Sequence, residues 1–437
     1  MFKKAAALGL AFALLSTPMF ADEGNVPKGV PHLDHVFVIM MENHGNQQVL
    51  NNPDEPYLNE LISSRKVNFA NNYFAVGHPS LTNYLEIVGA SNFGIRSDNS
   101  PNWHSKTCTP NLQSGLVNAD NQAGLATPPI PIETTNICPI YGEGMDAATP
   151  AVDNWNEVTL PNFAFLADLD GFISIPSAHT TGKTIAEQLD RAGMSWKSYQ
   201  ESLPTGGADG VNNADGYYSN LVSFTGPIPN ETQTLIDLYA VKHNPFAYFR
   251  DIQDGNDRDS SLNNMVGFEG AHGLFEDLAS GRVPNFSFIA PNQCNDQHGR
   301  SNAGPQCDFD PNSDGLQVGL NPALIYAGDL AIRNLLKAIH ASPAWKDGNS
   351  AIVIVWDEND YSGTPTQPTG AFPPQNTNKV VLTVDTNYGE HGVKSQTFYD
   401  SYSVLKSIEA GFGLPCLNHA CDENVKVMSD LFARDRY

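Results

Sequence analysis

Three short stretches of this 437-residue chain carry acids or a nucleophile next to an apolar run: Met40 to Gly45 (MMENHG), Gly77 to Leu85 (GHPSLTNYL) and Val355 to Asp360 (VWDEND). Ser80 stands where an extended segment should turn into a helix over Leu81 to Val88. At that point backbone N–H groups and the helix dipole stabilise both a phosphate and an ionised hydroxyl. Serine is also a preferred helix cap, and the two roles can coexist. A serine hydroxyl is a weak nucleophile until a base or a metal lowers its pKa. Glu42, Asn43, Asp357 and Glu358 supply hard oxygen donors suited to a divalent cation, with Ser80 as a further ligand. Together these groups are fitted to attack a phosphoester.

A fourth cluster, Pro291 to Gly299 (PNQCNDQHG), carries Asp296 and His298 two residues apart. In an extended segment both would face the same way, toward a second metal or the phosphate oxygens. His391, in NYGEHGVKS, follows an expected strand and is the candidate for protonating a leaving alkoxide; a surface or capping histidine is the alternative.

The elements that must position these residues read as alternating strands and helices. Val36 to Met41 and Ala351 to Trp356 are unbroken apolar runs, the pattern of parallel strands covered on both faces. Both stop at acids, and in an open α/β sheet ligands gather at the carboxyl ends of strands. Helices are expected over Tyr57 to Arg65, Leu81 to Val88, Thr184 to Ala192, from Pro322 onward, and over Tyr402 to Ala410. Strands are expected over Val67 to Phe74, Ser195 to Gln200, Asn285 to Ala290 and Val380 to Val384. The alternation predicts a three-layer α/β/α sandwich with a mostly parallel sheet. Long polar stretches near 92–160 and 204–280 predict insertions that roof the site, within one catalytic domain over 22–437.

Lys3, Lys4 and the apolar run Ala5 to Leu15 predict a signal peptide over 1–21, hence a secreted or periplasmic protein. No later segment has the length to cross a bilayer, so stable membrane insertion is not expected. With 48 acidic against 24 basic residues the formal charge is −24, which argues against nucleic acid as a partner. Six cysteines in an exported chain suggest bridges, and local spacing offers Cys108 with Cys138, Cys294 with Cys307, and Cys416 with Cys421. Asp310, Asn312 and Asp314 match the opening of a calcium loop, but Asn321 holds the position of its closing glutamate, so an Asp-rich turn competes with calcium. No G-x-S-x-G elbow, P-loop or dinucleotide fingerprint occurs.

MMENHG, GHPSLTNYLEIVGA, KTIAEQLDRAGMSWKSYQE, KHNPFAYF, PNFSFIAPNQCNDQHG, AIVIVWDEND and YDSYSVLKSIEAGFGLP, in this order, resemble the bacterial phosphoesterase family of acid phosphatases and phosphatidylcholine-type phospholipases C. That family is related to the alkaline phosphatase superfamily, so the resemblance implies an alkaline-phosphatase-like fold. It implies Ser80 as nucleophile with a phosphoseryl intermediate, and Glu42, Asn43, Asp357 and Glu358 as ligands of a divalent metal (Mg, Mn, Ca or Zn). It further implies Asp296, His298 and Asn83 at the phosphate or a second metal. Thr82 replaces the usual proline after the nucleophile, and Ser401 replaces a usual histidine. Phosphomonoester hydrolysis is the first expectation, with a small phosphorylated substrate. Phospholipase C action on a lipid head group is the alternative, and a non-catalytic phospho-ligand-binding protein the second.

Overall fold

A computed structural model describes residues 23–77, 80–93, 95, 98, 140, 181–203, 238–255, 261–300, 303–311, 315–360 and 378–432. The expected signal peptide, Cys108, Cys138, Asn312, Asp314 and nearly all of 92–160 lie outside the described residues.

The strands in chain order are β1 (His35–Met41), β2 (Asn68–Ala70), β3 (Tyr73–Phe74), β4 (Trp196–Gln200), β5 (Met265–Val266), β6 (Phe286–Ala290), β7 (Ser350–Trp356), β8 (Leu382–Thr386), β9 (Lys394–Ser395) and β10 (Tyr399–Asp400). The main helices are α1 (Pro56–Ser63), α2 (Ser80–Gly89), α3 (Ile185–Ala192), α4 (Leu274–Ser280), α5 (Pro322–Ala341) and α6 (Ser401–Phe412). Eight strands form one sheet in the order β5-β4-β6-β1-β7-β8-β2-β9, and β3 pairs with β10 separately. Every pairing in the large sheet is parallel except those of β8, which runs against both β7 and β2.

The apolar runs read as buried strands are the centre of this sheet. β1 aligns with β7 from His35 opposite Ser350 to Met41 opposite Trp356, and β7 is buried along its whole length. Such strands have no polar face because helices cover both sides. On one side α5 packs on α1 and α4; on the other α2 packs on α6 and α3. This is the expected three-layer α/β/α arrangement.

Local chemistry sets the helix ends. Thr184 caps α3 through Ala186 N, and Gly193 closes it at φ 71°. Asn321 caps α5, with Pro322 in its first turn. Each device satisfies backbone groups that the helix cannot pair internally. Two of the three expected disulfides are present, Cys294–Cys307 and Cys416–Cys421. No helix of the described residues is long and apolar enough to cross a membrane.

Candidate active site

Because β1, β6 and β7 are parallel and in register, their carboxyl ends deliver Glu42, Asp296 and Asp357 to one edge of the sheet. Backbone bonds tie these ends together: Glu42 N donates to Asp296 O at 2.8 Å, and Asp357 N donates to Met41 O at 2.9 Å. Asn43 stands in the left-handed region at φ 58°, which turns the chain sharply after Glu42. Its backbone N donates to Asp357 Oδ1 at 3.0 Å.

Ser80 is the first residue of α2 and is buried. Its hydroxyl stands 3.0 Å from Glu42 Oε2 and 3.0 Å from Glu358 Oε1, either of which can accept its proton. Lys242 Nζ donates to Ser80 Oγ at 3.3 Å, to Asp98 Oδ2 at 3.1 Å and to His298 Nε2 at 3.1 Å. His298 uses its other nitrogen, Nδ1, toward Gly299 O at 2.8 Å. His243 faces two acids, with Nε2 3.0 Å from Glu42 Oε1 and Nδ1 3.1 Å from Asp296 Oδ2. Its ring stacks on Tyr84, centroids 5.2 Å apart and planes 8° apart. Ser80, Glu42, Glu358, Asp296 and His298, which the sequence suggests separately, are thus joined in one hydrogen-bonded cluster.

The charges of the cluster depend on one another. Burial works against ionising Glu42, but His243 and Lys242 outweigh it and hold this carboxyl well below the usual range. Burial and the neighbouring Glu42 and Glu358 push Asp357 well above it. Burial raises Asp296 to about 6. His243 is raised to about 9, since Glu42 and Asp296 overcome the cost of burying its charge, while burial and Lys242 drive His298 down to about 3.

The donor set suits a hard divalent cation. Asp357 Oδ1 is taken up by the N–H groups of Asn43 and Glu358, whereas buried Asp357 Oδ2 makes no hydrogen bond. A cation there would satisfy that oxygen and relieve three crowded acids. A separate group, His272, Glu276 and Asp277, brings one ligand atom each within 4.8 Å. Its acids are already paired, Glu276 with Arg282 and Asp277 with Lys197.

Other expected residues have different places. Asn83 braces the loop before α2: its Oδ1 accepts from Val76 N at 3.1 Å and Gly77 N at 3.0 Å, and its Nδ2 donates to Gly77 O at 2.8 Å. Its amide thus holds the backbone of this loop in place ahead of Ser80. His391 is exposed and belongs to the opposite edge of the sheet. β8 is antiparallel, so its end at Thr386 lies beside Ala351, at the start of β7. The expectation that His391 protonates the leaving group assumed a parallel strand, and the reversal removes it. Asp310 accepts from Asn321 N and lies 2.9 Å from His44 Nε2, so it is paired within the fold; the rest of the suggested calcium loop lies outside the described residues. Ser401 is buried against the Tyr73 hydroxyl at 3.3 Å.

Lys242 and His243 carry no role in the sequence reading. They sit in a 3-10 turn, Val241–His243, within the stretch read as an insertion over 204–280. Their only signal was a Lys-His pair in the KHNPFAYF segment. Asp98, isolated in sequence, had none.

A model of the phosphoesterase family matches residues 45–306 and 321–415, a span that begins just after Glu42 and Asn43. A probable acid phosphatase of Kluyveromyces lactis is 28% identical over 265 residues, covering 60% of this chain and 48% of its own length. A phosphate-repressible acid phosphatase of Penicillium chrysogenum is 28% identical over 270 residues, covering 61% and 50%. The chain therefore spans about half the length of these fungal relatives. A phosphatidylinositol-3-phosphatase of Mycobacterium tuberculosis is 21% identical over 401 residues, covering 91% of this chain and 83% of its own. A solved alkaline phosphatase superfamily protein from Vibrio parahaemolyticus superposes with a TM-score of 0.43 at 11% identity, covering 91% of this chain and 69% of that one.

Proposed function

The chain belongs to the phosphoesterase family, and from that premise we propose that it is an exported, metal-assisted phosphomonoesterase with Ser80 as nucleophile. The observation that carries the reading is the buried Ser80 hydroxyl at the start of α2, 3.0 Å from both Glu42 and Glu358. Two disulfides suit an oxidising compartment.

In this reading Ser80 Oγ forms a bond to phosphorus as the bond from phosphorus to the leaving oxygen breaks. The serine proton passes through a facing carboxylate to solvent, which restores the carboxylate, and the leaving alkoxide takes a proton from solvent. Water then attacks the phosphoserine, returning a proton to Ser80 and releasing inorganic phosphate. Glu42, Asn43, Asp357 and Glu358 would hold a divalent cation, which lowers the hydroxyl pKa and offsets charge on the transferring group. The positive end of α2 favours the same charge at Ser80.

The test is turnover of p-nitrophenyl phosphate after EDTA and after return of Mg²⁺, Mn²⁺, Ca²⁺ or Zn²⁺. Loss and recovery of turnover supports the reading. Metal-independent turnover removes the cation from it, and no turnover under any condition favours a phospho-ligand-binding protein.

A lipid substrate is a second reading with its own observation. Phe309, 43% exposed, lies with its ring 5.9 Å from that of His298, and Leu316 and Val318, 52% and 78% exposed, follow along the chain. Exposed apolar side chains beside a site suit a lipid tail. Preference for p-nitrophenyl phosphorylcholine over the monoester would move the assignment to a phospholipase C. Preference for a phosphorylated lipid in phosphatidylcholine vesicles would keep the monoesterase and change its substrate.

A further inference from the structure

The most unusual charged group in the cluster is Lys242. Its side chain is 2% exposed and its ammonium has three neighbours: Ser80 Oγ, Asp98 Oδ2 and His298 Nε2. A buried ammonium is costly unless it is paired and hydrogen-bonded. Asp98 supplies the pair and also fixes the geometry. Its Oδ1 accepts from Leu81 N at 3.0 Å, one residue after Ser80, while its Oδ2 holds Lys242 at 3.1 Å. One carboxylate therefore ties the start of α2 to the lysine and sets the distance between ammonium and hydroxyl.

We propose that Lys242 is a catalytic residue, a fixed cation that contacts the non-bridging oxygens of the phosphoryl group on Ser80 and biases the site toward dianionic monoesters over monoanionic diesters. This rests on Ser80 being the nucleophile. The bias follows from charge: a monoester presents one more unit of negative charge than a diester, so a positive group held next to the reacting oxygen gains more from the monoester. In a site that excludes water such a contact is worth far more than in bulk solvent. His298, accepting from Lys242 and lying against the Phe309 ring, fixes the ammonium on its third side. Asp98 is a positioning residue, because it acts through Lys242 and α2.

The experiment compares wild type, Lys242→Met, Lys242→Arg and Asp98→Asn, each supplied with divalent cation. The readouts are kcat/KM for p-nitrophenyl phosphate and for bis-p-nitrophenyl phosphate, and binding of inorganic phosphate by calorimetry. Lys242→Met should lose ~10²-fold or more on the monoester, the scale of removing one preorganised electrostatic contact, and less than ~10-fold on the diester. Its phosphate binding should weaken in parallel, and Lys242→Arg should recover part of the monoester rate. Asp98→Asn keeps the acceptor for Leu81 N but not the charge, and should shift the same ratio in the same direction. Thermal unfolding identifies any variant that fails to fold, and the remaining two then decide. An unchanged monoester-to-diester ratio with unchanged phosphate binding overturns the proposal while leaving Ser80 as nucleophile. If wild type turns over neither ester, the parent reading fails instead, and undiminished phosphate binding by Lys242→Met then overturns the lysine assignment as well.

Discussion

Glu42 shows how one residue serves several partners. Its Oε2 faces the Ser80 hydroxyl at 3.0 Å and its Oε1 faces His243 at 3.0 Å. Glu42→Gln keeps the shape but removes the charge that both neighbours use. It is expected to lower kcat/KM for a phosphomonoester by ~10²-fold or more, with added divalent cation restoring little; recovery of full activity at high cation concentration would contradict this. His391→Ala should leave kcat/KM within about twofold of wild type, since a surface change away from a site is usually near neutral. A tenfold loss would contradict its assignment to the opposite sheet edge. The residues that were legible in the sequence, Glu42, Ser80, Asp357 and Asp296, each follow or begin a regular element whose apolar pattern announces it. Lys242, His243 and Asp98 follow no such element, so only the folded chain brings them to Ser80.

At the scale of elements, the position of Ser80 depends on the strap before α2. Asn83, buried in the first turn of that helix, holds Val76 and Gly77 through three hydrogen bonds, and Asn378 donates to the same Gly77 O at 2.9 Å. Asn83→Ala leaves buried backbone groups without partners and is expected to lower unfolding free energy by ~1–3 kcal/mol. Chemical denaturation would check it, and a change below about 0.5 kcal/mol would show that the strap holds without the amide. Most elements were readable because burial imposes clear patterns: α3 and α5 carry caps at their starts, β1 is buried from Val36 onward, and β7 is buried throughout. The direction of β8 was not readable. Its residues Leu382–Thr386 are buried whichever way the strand runs, so the apolar pattern is silent on orientation. That reversal is what sends His391 to the far edge.

At the scale of the whole molecule, several buried acids outside ion pairs hold their protons more tightly than they would in water. Glu55 is fully buried; burial, against the hydrogen bond from Gln297 and with Asp329 nearby, pushes its carboxyl up to about 8. A group raised in the folded state binds its proton more tightly there than in the unfolded chain. Its contribution is thus complete below the ordinary carboxyl value of 4.5 and fades as pH rises through about 8. Between pH 5 and 8 the melting temperature of wild type should therefore fall more steeply than that of Glu55→Gln. Parallel curves for the two proteins would contradict this account of Glu55.

The central claim is that Ser80 carries the phosphoryl group. The most direct measurement is to mix wild-type protein and p-nitrophenyl phosphate with divalent cation, quench in acid, and map phosphate by peptide mass spectrometry. The account predicts phosphate on the peptide containing Ser80 in wild type, none in Ser80→Ala, and loss of turnover in that variant without loss of fold. A Ser80→Ala protein that still hydrolyses the ester at a rate within tenfold of wild type, with no phosphoserine trapped in either protein, would contradict it.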